Sequence, residues 1–190
     1  LATSNKSSDK ELMLEIANFD SNAFGHLYDR YSALLYTLIK KIVGDQKTAE
    51  DTLSNIFLII WKRAQKFDPK INNVYAWLML LTRNKAIDVL KRKRGDHGLS
   101  DYTEEYEINA IVPKLSTEIG AVELENAMKM SEKIKGIINS LTDAQKLVLD
   151  LSYYEGLGDK GISGKLKIPA STVKIKLQST MGILMQKLTN

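Results

Sequence analysis

With 190 residues, 44% hydrophobic and 26% charged, the chain can fill one core or two small ones and still stay in water. It has no cysteine and only two histidines, His26 and His97, far apart, so disulfides and thiolate metal sites are excluded and a histidine-based metal or catalytic centre has little material. The net charge of +4 is unevenly spread: ten basic residues stand against Asp68 and Asp88 from Trp61 to Arg94, then eight acidic residues against Lys114 from Gly95 to Glu125.

Apolar spacing predicts a short helix from Asp9 to Phe19, with Leu12, Ile16 and Phe19 on one side. Asp20, Ser21 and Asn22 supply N-cap material for a second helix, about Ala23 to Val43, and Gly44 follows at the usual glycine stop. Its inner stripe is Leu27, Tyr31, Leu34, Leu35, Leu38 and Ile42. A third helix runs from Thr48 to about Lys66 on Leu53, Ile56, Phe57, Ile60 and Trp61, with Glu50 and Asp51 early, where the helix dipole favours acid. Phe67 to Asn73, FDPKINN, has turn chemistry. The fourth helix, Asn73 to Arg94, meets no Pro or Gly before Gly95. It roots itself at Val74, Trp77, Leu78 and Leu81 and ends in Lys91, Arg92, Lys93 and Arg94, an end suited to polyanions. Trp61 and Trp77 could stack on bases, but their helical spacing favours a core.

Gly95 to about Gly120 is an acidic connector with Gly98 and Pro113, expected to be extended or loosely ordered. A helix from Val122 to Asn139 follows. Thr142 with Gln145 forms a capping box before Leu147, Val148, Leu149 and Leu151, in a helix that stops near Gly156 or Gly158. Asp159 to Lys167 is a short helix, Ile168-Pro169-Ala170 a turn, and Ser171 is expected to cap a last helix to Leu188 with Val173, Leu177, Leu184 and Leu188 inward. Short helix, turn, longer helix is the helix-turn-helix pattern, and Ile162, Leu166, Ile168, Val173 and Leu177 have the spacing to pack it. By itself this pattern leaves DNA binding and ordinary helical packing equally open. The fold class expected is all-α: two small helical domains, residues 1–94 and 121–190, joined by an acidic linker over 95–120. No apolar run reaches a membrane span, the longest being Val74 to Leu81, and LATSNKSSDK is not a signal peptide. No membrane insertion is expected, and a cytoplasmic setting fits the absence of cysteine.

Eight words stand in order along the chain: LYDRY, AED, FDP, AWL, RNKAIDVLKRKR, L-x-x-x-Q-x-x-V-L, YYEGL and S-T-V-K. Through them Ala23 to Arg94 and Leu141 to Leu177 resemble regions 2 and 4 of the extracytoplasmic-function (ECF) sigma factors of bacterial RNA polymerase. The resemblance implies a promoter-specific initiation factor, not an enzyme, that needs no cofactor or metal. Its partners would be core RNA polymerase, through the β′ clamp helices and β flap, promoter DNA, and an anti-sigma factor that covers these faces. Region 2 would open the −10 element and region 4 would read the −35 element. Asn84 matches the asparagine that reads a −10 base, and the loop Asp68 to Val74 matches the loop that captures a flipped base. The −10 strand would meet Asn84, Tyr75, Asn73 and Lys70. Phosphates would meet Arg83, Lys85, Lys91, Arg92, Lys93 and Arg94, and polymerase would meet Asp51, Ser54 and Asn55. The −35 element would meet Ser171, Thr172, Lys174, Lys176 and Gln178. Asp88 reads as a helix-internal residue or a partner of Arg92.

The chain departs from the family pattern twice. D-x-x-Q-E becomes Asp51 with Ser54 and Asn55, which removes an acid and an amide from the expected polymerase contact. After T-V-K the family has Ser-Arg-Leu-His-Arg-Ala; here stand Ile175-Lys176-Leu177-Gln178-Ser179-Thr180, and every arginine lies at or before Arg94. Without a guanidinium for guanine, −35 reading is expected to be weaker or biased to A/T. Gly161 and Gly164 each cost the short helix before it on the order of 1 kcal/mol. Two other readings stay open: a helix-turn-helix regulator that binds DNA without polymerase, and a helical protein-interaction module. The sequence offers no P-loop and no nucleophile–base motif.

Overall fold

The computed structural model describes residues 7–67, 73–95 and 124–189, which are helical with no strand among them. The chain divides into two compact units, one ending at Leu124 and the other beginning at Glu125. The acidic connector beyond Gly95 and loop residues 68–72, Lys70 among them, lie outside the described residues.

The first unit holds α1 (Asp9–Ala17), α2 (Ser21–Val43), α3 (Gln46–Arg63), a 3₁₀ turn (Ala64–Lys66) and α4 (Val74–Lys93). Each α-helix starts on a side chain that satisfies its orphan amides. Ser8 and Glu11 make a capping box, Asp20 accepts from the amides of Asn22 and Ala23, Asp45 from Thr48, and Asn73 from Ala76. Gly44, in the left-handed region at φ 86°, ends α2.

Two sequence expectations shift here. α1 stops at Ala17, because the amides of Asn18, Phe19 and Asp20 bond back to the carbonyls of Glu15 and Ile16. Phe19 takes φ 63° and leaves the core, 61% exposed, its ring edge-on to Trp61 at 6.0 Å. On α2, Leu34 is only half-buried and Ile39 is fully buried. Trp77 belongs to the core, whereas Trp61 is half-buried against Phe24 at 5.1 Å.

α2 packs on α1, α3 and α4, and Tyr31, Leu35, Ile39, Ile56, Ile60 and Leu78 are sealed from water at their meeting. The Asp9 carboxyl goes with them, as do Thr52 and Thr82. Asp9 is 5% exposed and takes the Tyr31 hydroxyl on Oδ2 at 2.5 Å and the Arg30 guanidinium on Oδ1. Arg30 also donates to the Ser7 carbonyl at 2.9 Å. Burial first, and the Asp9 carboxylate second, push the Tyr31 phenol far above its usual range. This network ties the start of α1 to α2.

The second unit holds α5 (Leu124–Asn139), α6 (Asp143–Tyr153), α7 (Asp159–Leu166) and α8 (Ala170–Thr189). The Thr142–Gln145 capping box forms as expected. Val148, Leu151, Ile162 and Val173 make the core, with Leu157, Leu166, Ile168 and Leu177 around it. Lys167 turns the chain at φ 55°, and the Ser163 hydroxyl donates to the Ile168 carbonyl at 2.6 Å, closing the turn between α7 and α8. α8 begins at Ala170, so Ser171 lies inside it and is not its cap: Pro169 stands just before the first turn, and its carbonyl accepts from the amides of Thr172 and Val173. A Cβ at Gly164 would meet nothing within 4 Å, while one at Gly161 would meet Leu157 at 3.3 Å. Gly164→Ala should therefore stabilise the unit by roughly 1 kcal/mol, and Gly161→Ala by less, read as shifts of the urea midpoint.

Candidate nucleic-acid interface

α4 carries most of the expected contacts with a melted strand. Its buried side, Val74, Ala76, Trp77, Leu78, Leu81, Thr82, Ala86, Ile87 and Leu90, locks its rotation against the unit. Asn73, Asn84 and Lys91 are spaced by eleven and seven residues, close to whole numbers of turns, so they share one side of the helix. Tyr75, nine residues before Asn84, falls on the opposite side; it is half-buried near Tyr31, and burial raises its phenol pKa. The helix therefore keeps Tyr75 apart from Asn84. Asn73 is occupied as N-cap, its Oδ1 accepting from Ala76 at 3.0 Å. Asn84 is half-buried, and its Oδ1 accepts from Arg83 Nη1 at 3.1 Å.

The basic residues of α4 divide by direction. Lys85 and Arg92 line an open groove of about 290 Å³ between α3 and α4, with Asp88, Val89, Thr52, Asn55, Leu58, Ile59 and Lys62. Asn55 is the one expected polymerase contact that shares this groove with expected phosphate contacts. Asp51 and Ser54 lie exposed on the same helix, and the Ser54 hydroxyl donates to the Glu50 carbonyl at 3.1 Å. Leu58 is 56% exposed there, an apolar contact point that sequence spacing does not reveal. Asp88 shares the groove with Arg92, but the two form no ion pair among those described.

Lys93 turns the other way, its Nζ 2.5 Å from Asp45 Oδ2. That ammonium, together with the Thr48 amide, holds the Asp45 carboxyl well below the usual carboxylate range. A carboxyl depressed in the folded state stabilises it above the unfolded pKa, about 3.9, and loses that contribution as pH falls towards the folded value. The stability advantage of the wild type over Asp45→Asn should thus shrink as pH drops below about 4, read from urea midpoints across pH. Both side chains are nearly half exposed, at 46% and 47%, so the advantage is small and weakened by salt. Lys91 is half-buried, and Arg94 is exposed at the end of the helix.

In the second unit α8 presents Ser171, Thr172, Lys174 and Gln178 to solvent, with Lys176 half-buried. Val173 anchors its opposite side at 0% exposure. After Asp159 the sequence contains no acidic residue, only Lys160, Lys165, Lys167, Lys174, Lys176 and Lys187. Lys165 is held by Glu155 at 2.6 Å. The side of α8 that faces solvent is thus cationic and built on a fixed core. Among the described residues no group of three or more His, Cys, Asp and Glu could hold a metal ion, and no helix is long and apolar enough to cross a membrane.

Residues 27–95, spanning α2 to α4 from Leu27 onwards, match the family model described as Sigma-70 region 2. The chain is 27% identical over 167 residues to the ECF RNA polymerase sigma factor SigK of Mycolicibacterium vanbaalenii, covering 88% of this chain and 82% of that one. Against the SigK of Mycobacterium tuberculosis it is 27% identical over 176 residues, covering 92% and 91%. A solved structure, that of CnrH in complex with the cytosolic domain of CnrY, aligns over 96% of this chain and 98% of that one at 17% identity and a TM-score of 0.44, too distant to place any residue.

Proposed function

We propose that the chain is an extracytoplasmic-function sigma factor that recruits core RNA polymerase to promoters, docks on the −35 duplex through its second unit and captures the melted −10 strand on α4. It starts transcription at chosen sites and performs no catalysis of its own. The observation that carries this reading is the match of residues 27–95 to sigma-70 region 2, a segment whose fold aligns Asn84 with Lys91 on a fixed helix and sets Lys85 and Arg92 into a groove beside Asn55.

Taking a base out of its stack costs a few kcal/mol, which the protein must offset with partners for the base edge. The Asn84 amide carries one acceptor and two donor hydrogens, the pattern that meets an adenine edge bidentately. Arg83, the neighbour that donates to its Oδ1, holds the amide in place. Lys85, Lys91, Arg92 and Arg94 neutralise phosphates of the same strand, and Lys93 joins them by exchanging Asp45 for a phosphate. α7 and α8 act as a helix-turn-helix, with α8 in the major groove at −35. Asp51, Ser54, Asn55 and the exposed Leu58 form the surface that meets the polymerase clamp. An anti-sigma factor covers the two units when the factor is silent. The setting is the cytoplasm, where polymerase and promoter are.

A regulator that binds DNA without polymerase is favoured by one observation: the expected polymerase surface is poor in charge, with the Ser54 hydroxyl turned onto its own helix. Co-purification with core polymerase separates the two. The chain should form a stoichiometric complex with core enzyme in the absence of DNA; failure to do so while promoter DNA is still bound would establish the regulator.

A further inference from the structure

We propose that Ile175 is a specificity-determining residue of α8, whose exposed side chain reads the 5-methyl group of a thymine in the major groove of the −35 element. The inference rests on the proposed docking of α8 at −35 and adds to it the chemistry of one base contact.

Ile175 is 67% exposed, more than any other large apolar side chain among the described residues. It is no part of the core of its unit: Val173 and Leu177 hold α8 down on either side of it in sequence, and Ile175 points away from them. Its neighbours one turn away are Ser171, Thr172, Gln178 and Ser179, all exposed, with Lys174 beside it. These are side chains that read base edges or hold phosphates. No acidic residue occurs between Lys160 and the end of the chain, so the field around Ile175 is cationic and matches a polyanion.

An apolar side chain in that setting needs an apolar partner on a polyanionic surface. The thymine methyl is the apolar group that the base edges of the major groove present. No arginine lies in this unit to fork onto guanine, so discrimination falls to apolar contact and to the shorter polar side chains. The family pattern has serine at this position, which cannot make that contact. The substitution therefore changes what the helix can read and costs little stability, since the side chain lies in solvent.

The test uses the full chain with core polymerase on a promoter found by run-off transcription. Each thymine of the −35 region is replaced in turn by 2′-deoxyuridine, which removes only the methyl, and binding is measured at one fixed salt concentration. Wild type should lose about fourfold in affinity at one position, the worth of burying one methyl-sized group. Ile175→Ser should bind the thymine and uracil duplexes equally. Equal binding by the wild type at every position, or a methyl effect that persists in Ile175→Ser, overturns this inference alone. Failure of the wild type to initiate on any unmodified promoter overturns the sigma reading, and this inference with it.

Discussion

Asn84→Ala should lower promoter-specific initiation by about tenfold to a hundredfold, the loss expected for one bidentate base contact worth roughly 1–3 kcal/mol, and leave the affinity for core polymerase unchanged. The separation follows from where the residue sits. Asn84 lies on α4, two turns before Lys91, whereas the surface proposed for polymerase is built by α3. Its carbonyl oxygen takes a hydrogen bond from Arg83, so the substitution also removes that bond from the guanidinium. Arg83→Ala should consequently produce a milder form of the same defect. Lys91→Ala should act differently: a phosphate contact is indifferent to sequence, so its loss weakens binding at all promoters alike and lowers the slope of affinity against salt by about one. Abortive-initiation rates on two promoters differing at −10, beside equilibrium binding to core polymerase, read all three variants. A fall in initiation and in core binding together, or in neither, would contradict the role given to Asn84.

Arg30→Ala should destabilise the first unit by about 3 kcal/mol, a large share of the 5–15 kcal/mol typical of a whole domain. The Asp9 side chain is 6% exposed and Arg30 19%, so removing the cation leaves a buried carboxylate whose one partner among the described residues is the Tyr31 hydroxyl. Tyr31→Phe should cost less, about 1.5–3 kcal/mol, since the ion pair survives. Replacing the pair together, Asp9→Leu with Arg30→Met, should recover part of the loss, because no charge is then left unpaired although the buried Tyr31 hydroxyl loses its acceptor. Urea unfolding of the four proteins measures these differences. A double variant as unstable as Arg30→Ala would show that the network contributes something other than mutual compensation. The network holds α1, and α1 in turn packs against α4, so its loss should also loosen the helix that carries Asn84.

The helices of both units are legible in the sequence because the 3.6-residue apolar period and the polar caps agree at most starts: Asp20, Thr142 and Gly44 do in the structure what their residue types suggest. The exceptions have local causes. A phenylalanine at φ 63° could not be foreseen, since bulky residues avoid that region and no glycine marks the turn at Phe19. α8 starts two residues before the position a Ser171 cap implies, because the amides of Thr172 and Val173 bond to the Pro169 carbonyl. The Asp9–Arg30–Tyr31 network joins residues 21 and 22 apart, and the Lys93–Asp45 pair spans 48, so no local spacing announces them. At the candidate interface, the resemblance nominates Asn84 and residue type the basic run, but only the three-dimensional arrangement parts Tyr75 from Asn84 and directs Lys85 and Arg92 into one groove with Asn55. Ile175 did leave a trace in the sequence: it falls between Val173 and Leu177, off the inner stripe, where an apolar residue has no packing role.

Run-off transcription with core polymerase on a library of promoter fragments tests the central claim most directly. Added to core enzyme, the chain should produce discrete transcripts from a small set of fragments that share one −10 word and one −35 word, with none from core enzyme alone. A transcript pattern identical to that of core enzyme alone, from a chain shown to be folded, would contradict it.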